Sequence, residues 1–137
     1  MSARPKPALQ DGLPLIRVLV AEDDRMDRQM IWRRLRSVDR QIAITFTGTL
    51  DETRRQLAET RFRGLILDNS LPDGNGVDFA RELARKGART TPPIVILSGW
   101  PSPFMAEKAE EAAVRGLWSK ETFDARAARA LLTRLGL

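Results

Sequence analysis

The chain has 137 residues, 42% of them hydrophobic, with a net charge of +5, no cysteine and no histidine. That length fits one domain with a real core, and the apolar content argues against disorder throughout. The missing residue types exclude disulfides, thiolate metal sites, histidine-based zinc sites and imidazole acid–base catalysis.

No stretch approaches the roughly 18 consecutive apolar residues of a membrane span. Residues 1–14 carry three prolines and lack the apolar segment of a signal peptide, so they read as a flexible tail on a cytoplasmic protein, ahead of one domain over 15–137. The excess of arginine does not single out nucleic acid. Arg25, Arg28, Arg33, Arg34 and Arg36 fall on one expected helix, Arg54 and Arg55 on the next, and Arg126, Arg129 and Arg134 on the last. A nucleic-acid module concentrates its charge on one face, whereas this distribution is that of solvated helix surfaces.

In chain order, an apolar run over 15–21 predicts a strand, followed by a helix near 25–38. A second strand is expected at about 43–46. Thr49-Leu50-Asp51-Glu52 has the capping-box pattern and opens a second helix. The third strand is Leu65–Leu67, and the helix after it runs from about 77 to 86, with Gly87 suited to its end. Ile94–Leu97 is a fourth strand. Ser102-Pro103 then reads as the cap and first residue of a helix reaching about 114. A short fifth strand at Leu117–Trp118 and a helix over about 123–135 complete the pattern. Strands alternating with helices imply right-handed crossovers and a parallel sheet covered on both faces. The continuous aliphatic runs are what doubly buried strands require.

Polar groups recur at one place in this pattern, just past each strand. Asp23 and Asp24 follow the first strand, Asp68 the third, Ser98 the fourth and Lys120 the fifth. Open parallel sheets gather their chemistry at the carboxyl ends of their strands. Three clustered carboxylates repel unless a cation joins them, and an all-oxygen donor set suits Mg²⁺. Three aspartates, one ammonium and one divalent cation sum to zero charge. Such a site suits an incoming phosphoryl group, with Asp68 as the nucleophile. Each residue also has a plainer use: Asp24 as a helix cap, Asp68 as a turn former, Ser98 before Gly99 as a loop pair, and Lys120 as a solvated lysine. The four strand ends together favour the chemical reading.

The acidic pair, the loop Asp68-x-x-Leu71-Pro72-Asp73-Gly74-x-Gly76, Ser98-Gly99 and Lys120 resemble the receiver domains of two-component response regulators, the chemotaxis regulator among them. The resemblance covers roughly residues 16–135. It implies a flavodoxin-like, doubly wound (βα)5 fold, with a five-stranded parallel sheet in the order 2-1-3-4-5 and helices on both faces. It implies that Asp68 accepts a phosphoryl group from a histidine kinase or histidine phosphotransfer protein. It further implies Mg²⁺ held by Asp24, Asp68 and the backbone carbonyl of Ser70, with Asp23 acting mainly through water. Ser98 and Lys120 would contact the phosphoryl oxygens.

Such a protein catalyses only its own phosphorylation and dephosphorylation. It would signal to a downstream protein as a stand-alone receiver or phosphorelay intermediate, without nucleic acid or membrane. The alternative is an adaptor of the same fold that works without phosphorylation. Three positions depart from the family pattern. Glu121 follows Lys120 where proline is usual, and a cis bond to a non-proline costs roughly 2.5–4 kcal/mol, so a trans bond is expected. Leu117 stands at the usual switch aromatic, and Trp100 stands two residues after Ser98. The Ser98–Trp100 segment is therefore expected to carry the signal.

Overall fold

A computed structural model describes residues 9–10, 13–87 and 91–137. Five strands form the main sheet: β1 (Ile16–Ala21), β2 (Ile42–Thr47), β3 (Gly64–Leu67), β4 (Ile94–Ser98) and β5 (Leu117–Ser119). The helices are α1 (Arg25–Val38), α2 (Leu50–Glu59), α3 (Gly76–Lys86), α4 (Pro103–Glu111) and α5 (Ala125–Arg134). All pairings in this sheet are parallel, in the order β2-β1-β3-β4-β5, which is the expected doubly wound arrangement. Of the expected tail, the description covers an antiparallel pairing of Leu9–Gln10 with Leu13–Pro14. The rest of that expectation lies outside the described residues.

Alternation along the strands divides the core in two. Leu19, Leu65, Leu67, Ile94 and Ile96 face one side and pack with Leu50 of α2, Val77, Phe79, Ala80 and Leu83 of α3, and Ala112. Val18, Val20, Ile66, Val95 and Leu97 face the other, against Ile31 and Leu35 of α1 and Ala128, Leu131 and Leu132 of α5. Gly64 lets β3 pass close to the buried Leu135 side chain, since a Cβ there would lie 2.9 Å from Leu135 Cδ1.

The helix ends follow local chemistry. Thr49 Oγ1 accepts the Glu52 N–H, while Glu52 Oε2 accepts the Gly48 N–H, one residue earlier than in a standard capping box. A second cap for α2 comes from far along the chain, where Asp73 accepts the Leu50 and Asp51 amides at 2.8 and 3.1 Å. These backbone bonds hold the Asp73 carboxyl below its usual range. The helix pair α2–α3 is further tied by a two-pronged contact from Arg54 to Glu82, at 2.8 and 2.9 Å, with the guanidinium over the Phe79 ring.

The helix α4 stops at Glu111, three residues before its expected end. The Val114 N–H returns to the Ala109 carbonyl at 3.0 Å, and the Arg115 N–H bonds the Ile94 carbonyl at 2.8 Å. The chain must therefore turn sharply to enter β5. Ala113 makes that turn in the left-handed region, with φ of 57°.

A left-handed alanine costs roughly 1–2 kcal/mol, a strain that glycine escapes. Ala113 is exposed, so its methyl group contributes little packing. Ala113→Gly should raise stability by about 0.5–1 kcal/mol, net of the extra chain entropy of glycine. Thermal unfolding should show a Tm higher by about 2–4 °C, and an unchanged or lower Tm would mean that the turn is not strained.

Candidate functional site

Register brings the strand ends level. Ala21 pairs with Leu67, Leu67 with Ile96, and Ser98 with Ser119. Glu22, Asp68 and Lys120, each the next residue after its strand, therefore leave the sheet on one edge. Ser98 ends β4 on the same edge.

Lys120 is the hub. Its Nζ lies 3.0 Å from Asp68 Oδ2 and 2.9 Å from Asp27 Oδ2, and it also contacts Glu22 Oε1 directly. Burial works against the charge on Lys120, but hydrogen bonds to Glu22, Asp27 and Asp68 outweigh it and raise its pKa above the ordinary value. The Glu22 side chain is 1% exposed. Burial pushes its carboxyl up to about 7, against the lowering effect of Lys120 and the Asp24 amide. Arg28 Nε donates to the Glu22 carbonyl at 2.5 Å, and its guanidinium lies over the Phe46 ring.

The acidic group differs from the expected one. Glu22, Asp23 and Asp68 offer carboxylate oxygens that all lie within 4.8 Å of one another. Asp24 is not among them. Its carboxylate caps α1, accepting the Asp27 N–H at 2.8 Å. The two acids that the structure gathers with Asp68 are thus Glu22 and Asp23, one position earlier than the expected Asp23–Asp24 pair. The reason is register: β1 ends at Ala21, so Glu22 occupies the strand end, and Asp24 has already reached the start of the helix. The sequence signal for Glu22 was its place directly after Ala21, obscured by the two like residues that follow. Asp27 carried no signal beyond being one turn into α1.

Asp68 is 7% exposed and well anchored. Its N–H donates to the Ala21 carbonyl at 2.9 Å, and its Oδ1 accepts the Ser70 N–H at 3.3 Å. The following loop is held by Asn69, whose side chain accepts the Val77 N–H and whose carbonyl accepts the Gly76 N–H. Ser70–Leu71 pairs antiparallel with Gly74–Asn75, so the loop doubles back as a small hairpin. At Gly76 any Cβ would collide with the Asp68 carbonyl oxygen.

Ser98 is buried, and its Oγ accepts the Trp100 N–H at 3.2 Å. Trp100 itself is 87% exposed. Leu117 packs on the α3–α4 side of the sheet and Trp118 on the α1–α5 side. The Lys120–Glu121 bond is trans, as expected, and leads into a 3₁₀ turn over Lys120–Thr122 while the ammonium still reaches Asp68.

Chemically, the edge combines a buried hydroxyl with three clustered acids, one of which, Asp68, is buried and backed by an ammonium. The acids are hard oxygen donors with no nitrogen or sulfur among them, which fits a divalent cation. Among the described residues, no helix is long and apolar enough to cross a membrane.

A family model described as the response regulator receiver domain matches residues 18–132. Solved structures share the fold. The chemotaxis response regulator CheY4 of Vibrio cholerae aligns with a TM-score of 0.74 at 21% identity, covering 88% of this chain and 98% of that one. A two-component response regulator from Legionella pneumophila gives 0.76 at 21% identity, with coverage of 88% and 98%. The HemR receiver domain from Leptospira biflexa gives 0.72 at 22% identity, with coverage of 88% and 93%. No curated protein sequence matches the chain.

Gly76→Ala should destabilise the protein by about 1–3 kcal/mol, because the obstacle is backbone rather than a flexible side chain. Gly99→Ala, where an added methyl group meets nothing within 4 Å, should stay within about 0.5 kcal/mol of the parent. Urea unfolding of the two variants checks the contrast, and equal losses would refute the close approach at Asp68.

Proposed function

The chain belongs to the response regulator receiver domain family, and from that premise we propose that it takes a phosphoryl group onto Asp68 in a Mg²⁺-dependent reaction and signals by protein contact. The single observation that carries this reading is the buried Asp68 carboxylate, hydrogen-bonded to Lys120 and grouped with Glu22 and Asp23. An electron pair on an Asp68 carboxylate oxygen forms the O–P bond. The P–N bond to a donor imidazole breaks, and its electron pair stays on that nitrogen. The product is an acyl phosphate.

The residues of the chain divide the work. Asp68 attacks. Lys120 offsets the negative charge of the phosphoryl oxygens in a partly dehydrated setting, where charge interactions are stronger than in water. Ser98 Oγ already accepts a hydrogen bond from Trp100, which leaves its proton free for a phosphoryl oxygen. Glu22, Asp23 and Asp68, with the Ser70 carbonyl, would hold Mg²⁺, which when bound neutralises the carboxylates and phosphoryl oxygens. The donor is a histidine kinase or histidine phosphotransfer protein, in a cytoplasmic setting. The downstream partner is a protein. With Leu117 at the usual aromatic position, movement of Ser98 toward the phosphoryl group would carry Gly99 and the exposed Trp100 with it.

The phosphoacceptor is tested with acetyl phosphate and Mg²⁺, followed by intact mass. The wild type should gain one phosphoryl group and Asp68→Asn none. A full gain in that variant would move the acceptor elsewhere, and no gain in the wild type would leave an adaptor that works without phosphorylation.

The metal assignment makes a crossed prediction for the two neighbouring aspartates. Asp23→Ala should weaken Mg²⁺ binding at least tenfold and leave stability nearly unchanged. Asp24→Ala should cost about 1 kcal/mol of stability through the lost cap and leave Mg²⁺ binding within about twofold. Titration of tryptophan fluorescence with Mg²⁺, beside urea unfolding, separates the two. The opposite ranking would restore Asp24 as the ligand.

A further inference from the structure

Lys120 has no hydrogen left to give. An ammonium carries three donors, and three carboxylates from three elements surround this one: Glu22 after β1, Asp27 in the first turn of α1 and Asp68 after β3. A phosphoryl oxygen arriving at Asp68 can bind this ammonium only if one of the three lets go. They are not equally able to do so. Glu22 is 1% exposed, and its Oε1 has no partner in the protein other than the ammonium, so water cannot take the place of the ammonium there. Asp68 is the group that takes the phosphoryl, and its side chain is only 8% exposed. The Asp27 side chain is 36% exposed, and water can replace the ammonium there at little cost.

We propose that Asp27 is a positioning residue that occupies one donor of Lys120 in the resting protein and yields it to the phosphoryl group, so that modification of Asp68 is also registered at the first turn of α1. This rests on Asp68 being the phosphoacceptor. Two effects follow. In the resting state Asp27 draws the ammonium from the incoming group and adds a negative charge beside an anionic reactant. In the phosphorylated state a freed carboxylate stands at the amino end of α1, next to exposed Met26. Neither effect involves Ser98.

The test compares wild type with Asp27→Asn and Asp27→Ala, using acetyl phosphate at Mg²⁺ concentrations shown to be saturating for each protein. Both variants should acquire the phosphoryl group roughly three- to tenfold faster, the scale expected for one partly screened charge a few ångströms away. Backbone NMR of the beryllofluoride–Mg²⁺ complex provides a reading that a merely structural residue would not move. Amides 25–28 should shift in the wild type relative to its Mg²⁺ form, and should shift far less in the variants. Unchanged or slower rates in both variants, with a wild type that is phosphorylated on Asp68, would overturn the proposal and leave the phosphoacceptor reading intact. Absence of any phosphoryl gain in the wild type would remove both.

Discussion

A half-buried ammonium holds this site together. Glu22, Asp27 and Asp68 belong to separate parts of the chain, and their like charges oppose any arrangement that brings them close. Lys120 reverses that balance by contacting all three. It can do so because β5 lies in register beside β4, which delivers Ser119 level with Ser98 and Lys120 one step beyond. The cost of drying an ammonium is offset only when its donors are fully used, and here they are. The same contacts make the end of β5 depend on β1, β3 and α1, so the short fifth strand is fixed from its polar tip as well as by its apolar neighbours.

The loop that follows Asp68 is held in place for a different reason. Asp68 is bonded back to β1 through its amide, and the next residue, Asn69, turns both its carbonyl and its side chain to the amino end of α3. Helix α3 therefore begins against the backbone of the loop, which is why position 76 has no room for a side chain. On the opposite side of β4 the constraint relaxes. Gly99 has open space around it and Trp100 projects into solvent. The site thus has one wall fixed by close backbone packing and one built from a loop with few neighbours.

Much of this was legible in the sequence. The aliphatic runs located the inner strands β1, β3 and β4, because a strand buried on both faces leaves little polar interruption to confuse it. The turn residues around 72–76 marked the loop, and Asp68 and Lys120 stood out because each followed a strand. The acids gathered at the sheet edge lie one position earlier than the expected pair, since three consecutive acids leave the strand boundary to decide which belong to the sheet edge and which to the helix. Asp27 and Asn69 were not legible, because whether a helix or loop side chain turns toward a neighbouring element depends on packing that residue type does not encode. The early stop of α4 was hidden for a related reason. Alanine is a strong helix former, and at Ala113 the need to bring Arg115 to the edge of Ile94 overrides that preference.

The double cap on α2 links two parts of the fold that are far apart in the chain. Thr49 can close the first turn of that helix as soon as the helix forms, because its partner is three residues away. Asp73 can do so only after the loop beyond β3 has taken its shape, since it reaches back across 22 or 23 residues to the same turn. The amino end of α2 therefore acquires its full complement of hydrogen bonds late in folding, at the closing of a long loop rather than at helix nucleation. In the reverse direction, opening the hairpin at 70–75 removes the Asp73 cap and leaves Thr49 alone at the start of α2, so local opening of this loop favours fraying of that helix.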